Sequence, residues 1–105
     1  MPAAKPGEIW IVDLGMVAKV RPCLILTLQP RGDELDIYTV VAHTTACRGN
    51  YWEVAIPKSY LNAEGAFDVQ RVATVASVKL ERKLGELTRT EFDNILDRLA
   101  ERLNL

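Results

Sequence analysis

The chain has 105 residues, enough for one domain around one modest core. Its 49% apolar and 26% charged residues exclude a disordered chain. A net charge of −1 argues against a protein coated in positive charge for nonspecific nucleic-acid binding, yet 13 Lys and Arg leave room for a local basic groove.

No apolar run reaches membrane-span length, and residues 1–7 hold no apolar signal region, so a cytoplasmic protein with no membrane partner is expected. Cys23 and Cys47 match neither a metal spacing nor a redox motif, and free thiols are expected.

Residues 1–6 carry two prolines and no periodicity, and read as a loose lead-in. Residues 8–14, rich in β-branched and aromatic side chains, predict a first strand. A short connection over 15–19 leads to a second strand at about 20–28. Pro22 cannot donate to a ladder, so it marks a strand start or an edge, and it biases Arg21 towards an extended backbone. Residues 29–33 are turn chemistry, followed by a third strand over 35–42 and a fourth over 51–56. Pro57 stops the fourth, and residues 58–61 suit one short helical turn. A fifth strand is predicted over 70–76 and a short sixth over 84–87. The one long helix follows Thr88, which with Glu91 has the residue types of a capping box. Phe92, Ile95, Leu96, Leu99 and Leu103 recur at helical spacing and define an apolar stripe. Five or six short strands with one terminal helix describe a single domain, residues 1–105, built on a strongly bent antiparallel sheet or barrel.

Between the third and fourth strands lies a polar loop that holds the only histidine, His43, with Thr44, Thr45 and Arg48. Gly49 and Asn50 satisfy the turn. An imidazole, two hydroxyls and a guanidinium at its mouth are what an anionic ligand requires. Trp10 and Trp52 have apolar neighbours, so core packing is expected of them before base stacking.

Several segments, in order, carry a resemblance: Gly7-Glu8-Ile9-Trp10-Ile11-Val12-Asp13, Lys19-Val20-Arg21-Pro22-Cys23-Leu24-Ile25-Leu26, His43-Thr44-Thr45 with Arg48-Gly49, Phe67-Asp68-Val69-Gln70, and Lys83-Leu84-Gly85-Glu86-Leu87. From about Gly7 onward the chain resembles the PemK/MazF family of bacterial toxin–antitoxin toxins. That resemblance implies an SH3-like barrel with a helical terminus, acting as a homodimer. It implies endoribonuclease cleavage of single-stranded RNA without a metal or other cofactor, and a cognate antitoxin that blocks the site with an acidic, otherwise disordered segment. It also implies that Arg21 is catalytic and that a threonine at the end of the third strand is the second catalytic group: Thr45, or Thr44 if the register slips by one. Asp68 and Arg71 stand near an aspartate and arginine used by some members. The connection over 15–19 is shorter than the RNA- and antitoxin-binding loop of many relatives.

The residues suit that chemistry. Attack of a 2′-hydroxyl on the adjacent phosphate needs a proton acceptor, stabilisation of charge on phosphorus, and a proton for the leaving 5′ oxygen. The guanidinium of Arg21 binds phosphate in a bidentate way and stays charged. Thr45 offers a hydroxyl donor, and His43 is the natural acid or base. If the third strand continued past Ala42, His43 and Thr45 would share a face and Thr44 would point away. Lys19, Thr44, Arg48, Asp68 and Gln70 complete an expected RNA-binding set. His43 as a hydrogen-bonded turn residue, the threonines as plain strand formers and Arg48 as turn solvation are the blander readings. Two rival functions are a noncatalytic toxin of the same fold that binds gyrase, and an inactive RNA-binding relative.

Overall fold

The computed structural model describes residues 3–15 and 19–105. Among the described residues, six antiparallel strands form one sheet: β1 (Glu8–Asp13), β2 (Val20–Ile25), β3 (Ile37–Thr44), β4 (Glu53–Val54), β5 (Ala66–Ala76) and β6 (Leu80–Glu86). Their spatial order is β4-β5-β3-β2-β1-β6, so β4 and β6 are the edges. The helix α1 (Arg89–Leu103) ends the element order. This is the mainly β architecture with a C-terminal helix that the pattern predicts; the sheet is open between its two edges.

Each face of the sheet buries its own apolar cluster, because side chains alternate along a strand. Ile9, Leu24, Val41, Phe67 and Val69 pack with Phe92, Ile95 and Leu99 of α1. On the opposite face Val12, Cys23, Ile25, Tyr38, Val40 and Ala42 form a second cluster with Ala4 and Leu80. The capping box of α1 is complete: Thr88 Oγ1 accepts from the Glu91 amide and the Glu91 carboxylate accepts from the Thr88 amide. Leu103, assigned to the apolar stripe, is instead exposed as the last residue of α1.

Several boundaries differ from expectation, each for a local reason. The lead-in is tied down over its described residues: Ala4 is fully buried and its amide donates to the Tyr38 hydroxyl, while the Lys5 amide donates to Glu8 Oε1 at 2.9 Å. Glu8 is buried and also accepts from Trp10 Nε1 at 3.0 Å and pairs with Lys83 at 3.0 Å, so Glu8 and Trp10 serve the frame. The connection expected over 15–19 lies largely outside the described residues, apart from Gly15 and Lys19. The fourth strand shrinks to β4, because the turn chemistry runs on through Tyr51 and Trp52. The fifth begins earlier than predicted, at Ala66, where Phe67 and Val69 enter the helix-side core around a buried Asp68. The 58–61 segment is a turn, with the Leu61 amide donating to the Lys58 carbonyl. A single 3-10 turn, Ser77–Lys79, joins β5 to β6.

Candidate active site

Arg21 is the second residue of β2, half-buried and paired across the ladder with Val12 of β1. Pro22, next to it, sits in an interior strand and not at a sheet edge. The missing N–H is tolerated there because β2 pairs with β3 only from Cys23 onward. Arg21 lies two residues from Cys23, so both point to the face away from α1. Burial pushes the Cys23 thiol up to about 12, with the charge of Arg21 working against that rise. Cys23 is therefore an inert core thiol.

The β2–β3 register pairs Cys23 with Ala42. Thr44, the last residue of β3, lies two residues past that pair, is buried and pairs with Ala66 of β5. Thr44 belongs to the alternating set of Tyr38, Val40 and Ala42, which faces the same side as Arg21. Its hydroxyl oxygen accepts from the Ala46 amide at 3.1 Å and fixes the start of the loop. A hydroxyl that accepts one hydrogen bond keeps its own proton to donate.

His43 and Thr45 are not brought together on one face of a strand. The alternation that pairs them needs β3 to continue, and β3 ends at Thr44. Thr45 lies beyond the strand end and is exposed. His43 is buried on the α1 side, edge-on to Phe67 at 5.0 Å between ring centroids. Burial holds its imidazole below the usual histidine range, in the neutral form at physiological pH. Gly65 makes room for the ring: a Cβ there would stand 2.2 Å from His43 Cε1 and 2.9 Å from the Thr44 carbonyl oxygen.

An irregularity in β5 supplies a second cation. The β3–β5 ladder pairs Val41 with Val72 and then His43 with Phe67, so residues 68–71 are looped out of register. Such bulges re-aim side chains. Arg71 thereby joins Arg21 and Ala42 in lining a cleft of about 230 Å³. Asp68, buried on the same bulge, pairs with Arg71 at 3.3 Å and accepts from the Gln70 amide at 2.9 Å. Arg21 and Arg71 thus bring two guanidiniums to one cleft, with Asp68 paired to Arg71.

The loop over 45–52 borders the same region. Arg48 is exposed on it, and the Asn50 amide side chain reaches Gln70 Oε1 at 3.4 Å. Lys19 is exposed before β2, with φ of 62°. Trp52 packs against the α1-side core with Arg102 over its ring at 5.4 Å, and Arg98 stacks on Tyr51 at 4.0 Å. The residue that sequence reasoning missed is Glu53. Its carboxylate accepts from the amides of Arg48, Gly49 and Asn50 at 2.8, 2.7 and 3.1 Å. A glutamate closely following a Gly-Asn turn was the only signal for it. Among the described residues, no group of three or more His, Cys, Asp or Glu side chains is placed to hold a metal ion.

Comparisons with known proteins agree with this frame. A comparison with curated protein sequences gave no match. Among solved structures, a mycobacterial endoribonuclease in complex with its cognate antitoxin superposes with a TM-score of 0.80 at 28% identity, covering 98% of this chain and 97% of that one. The Mycobacterium tuberculosis toxin MazF-mt6 gives 0.78 at 27% identity, over 93% of this chain and 97% of that one. A MazE–MazF structure from Deinococcus radiodurans shares the fold at 15% identity, with a TM-score of 0.79, covering 100% of this chain and 99% of that one. The model of the PemK-like, MazF-like toxins of type II toxin–antitoxin systems matches residues 5–103, and the chain belongs to that family.

Proposed function

We propose that this protein is an endoribonuclease toxin that cleaves single-stranded RNA without a metal, leaving a 2′,3′-cyclic phosphate and a 5′-hydroxyl. The observation that carries the reading is the cleft shared by Arg21 and Arg71 beside the end of β3. It joins the RNA-cleaving names of structural neighbours at 27 and 28% identity. Arg21 stabilises the charge that builds on phosphorus as the 2′-hydroxyl attacks, and a guanidinium does so with two parallel donors. Thr44, at the end of β3 on the face of Arg21, is assigned to donate its hydroxyl to a phosphate oxygen. Thr45, exposed past the strand end, is assigned to binding the RNA strand. Arg48, Lys19 and Gln70 are assigned to flanking contacts, and Asp68 to holding Arg71. His43 lies on the opposite face of the sheet and is left out of proton transfer.

The proposed partners are single-stranded RNA, a second copy of the chain, and an antitoxin whose acidic segment competes for the cationic cleft. Cytoplasmic residence follows from the same reading. The test is a short RNA carrying one 2′-deoxy substitution at the cleavage position. Removing the nucleophile is expected to abolish cleavage at that bond in EDTA, and cleavage of the deoxy substrate there would overturn the mechanism.

A further inference from the structure

Glu53 opens β4 opposite Asp68 of β5. Two carboxylates on neighbouring strands repel unless something intervenes. Here Arg71 does so: it pairs with Asp68, and its charge also acts on Glu53. The Glu53 carboxylate is turned into the 45–52 loop, where three consecutive amides, those of Arg48, Gly49 and Asn50, close around it. Gly49 has φ of 73°, the left-handed conformation that lets successive N–H groups converge on one anion. The Arg48 amide above all holds the Glu53 carboxyl below the usual range; the Asn50 and Gly49 amides and Arg71 add to this, against the effect of burial. The Glu53 amide returns a bond to the Asn50 carbonyl at 3.3 Å.

The loop is thus folded around an anion that the protein itself supplies. At one end it is fastened to Thr44 through the Ala46 amide, and at the other to Gln70 through Asn50. We propose that Glu53 is a positioning residue: its carboxylate shapes the 48–50 turn and fixes the Arg48 side chain where it grips a phosphate flanking the cleaved bond. This rests on the endoribonuclease reading above. Glu53 touches no RNA in this scheme and acts only through the loop.

The experiment is a double-mutant cycle on RNA cleavage with Glu53→Gln, Arg48→Ala and the double variant. Melting temperatures report folding, and hydrogen exchange reports the Arg48, Gly49 and Asn50 amides. Each single variant is expected to raise KM about tenfold, the order of one lost charge-assisted phosphate contact, with kcat within about twofold. The double variant is expected to match the singles, because a mispositioned Arg48 cannot be lost twice. The three amides exchange faster in Glu53→Gln. Glu53→Asp, one methylene shorter, keeps the charge and restores part of the KM; it carries the test if the Gln variant does not fold. A parental KM in Glu53→Gln, or multiplicative effects in the double variant, would overturn this proposal alone. Failure of the parent protein to cleave RNA would overturn the functional reading and this inference with it.

Discussion

Thr44 and Thr45 are neighbours of the same type, and the backbone gives them different places. Thr44 is the last strand residue, on the face of Arg21, with one lone pair already engaged by the Ala46 amide. Thr45 stands free of the strand. Thr44→Val, which keeps the shape and deletes the hydroxyl, should lower kcat about a hundredfold, the low end for loss of one oxyanion donor. Thr45→Val should act on KM by a few-fold. Single-turnover and steady-state cleavage on one RNA separate the two, and the reverse ranking would move the catalytic hydroxyl to Thr45.

His43 and Glu8, both buried, make stability depend on pH in the acid range. His43 has a folded pKa depressed below 6.5, so the unfolded chain binds the proton more readily, and stability falls as pH drops below about that value. For Glu8, burial pushes the pKa up, but bonds from Trp10, the Lys5 amide and Lys83 bring it below its ordinary 4.5. Its contribution is therefore present above 4.5 and lost as pH falls through the folded value. Denaturant melts at pH 7.5 and 5.5 should show the parent losing stability while His43→Gln loses less. A constant gap between the two proteins would contradict this account of the buried imidazole.

Among the elements, β5 does the most to build the site. Its looped-out residues 68–71 swing Arg71 into the cleft, and its preceding Gly65 lets β5 approach the end of β3. In Gly65→Ala the new methyl meets both the His43 ring and the Thr44 carbonyl. Overpacking of this kind costs about 1–3 kcal/mol, read as a lowered Tm, and an unchanged Tm would contradict the packing described. This bulge also marks where sequence reading stopped. A regular pattern over 70–76 was visible, but Asp68 and Gly65 interrupt the alternation that would have extended the strand to Ala66. The β3 boundary failed in a similar way: the polar pair His43-Thr44 reads as loop, while burial keeps both inside the ladder. The helix was legible because its signals are local, an apolar repeat and a complete capping box.

For the whole molecule, the ordered segments were enough to anticipate the family, and the family model spans residues 5–103. The extended, strand-entry position of Arg21 was legible through its proline neighbour, whereas the sharing of one cleft by Arg21 and Arg71 depends on strand register. A sheet with a packed cluster on each face leaves one end where Arg21 and Arg71 gather beside a loop organised by Glu53. On a chain of net charge −1, the two guanidiniums of that cleft are where the proposed function seats an anionic strand.

The most direct test of this account is incubation of the purified protein with a long single-stranded RNA in EDTA, beside Arg21→Ala. Discrete fragments with cyclic-phosphate ends from the parent, and intact RNA from the variant, are predicted. Equal cleavage by both would contradict the role of Arg21. Intact RNA in both would contradict the endoribonuclease reading and favour a toxin that acts by binding a protein target.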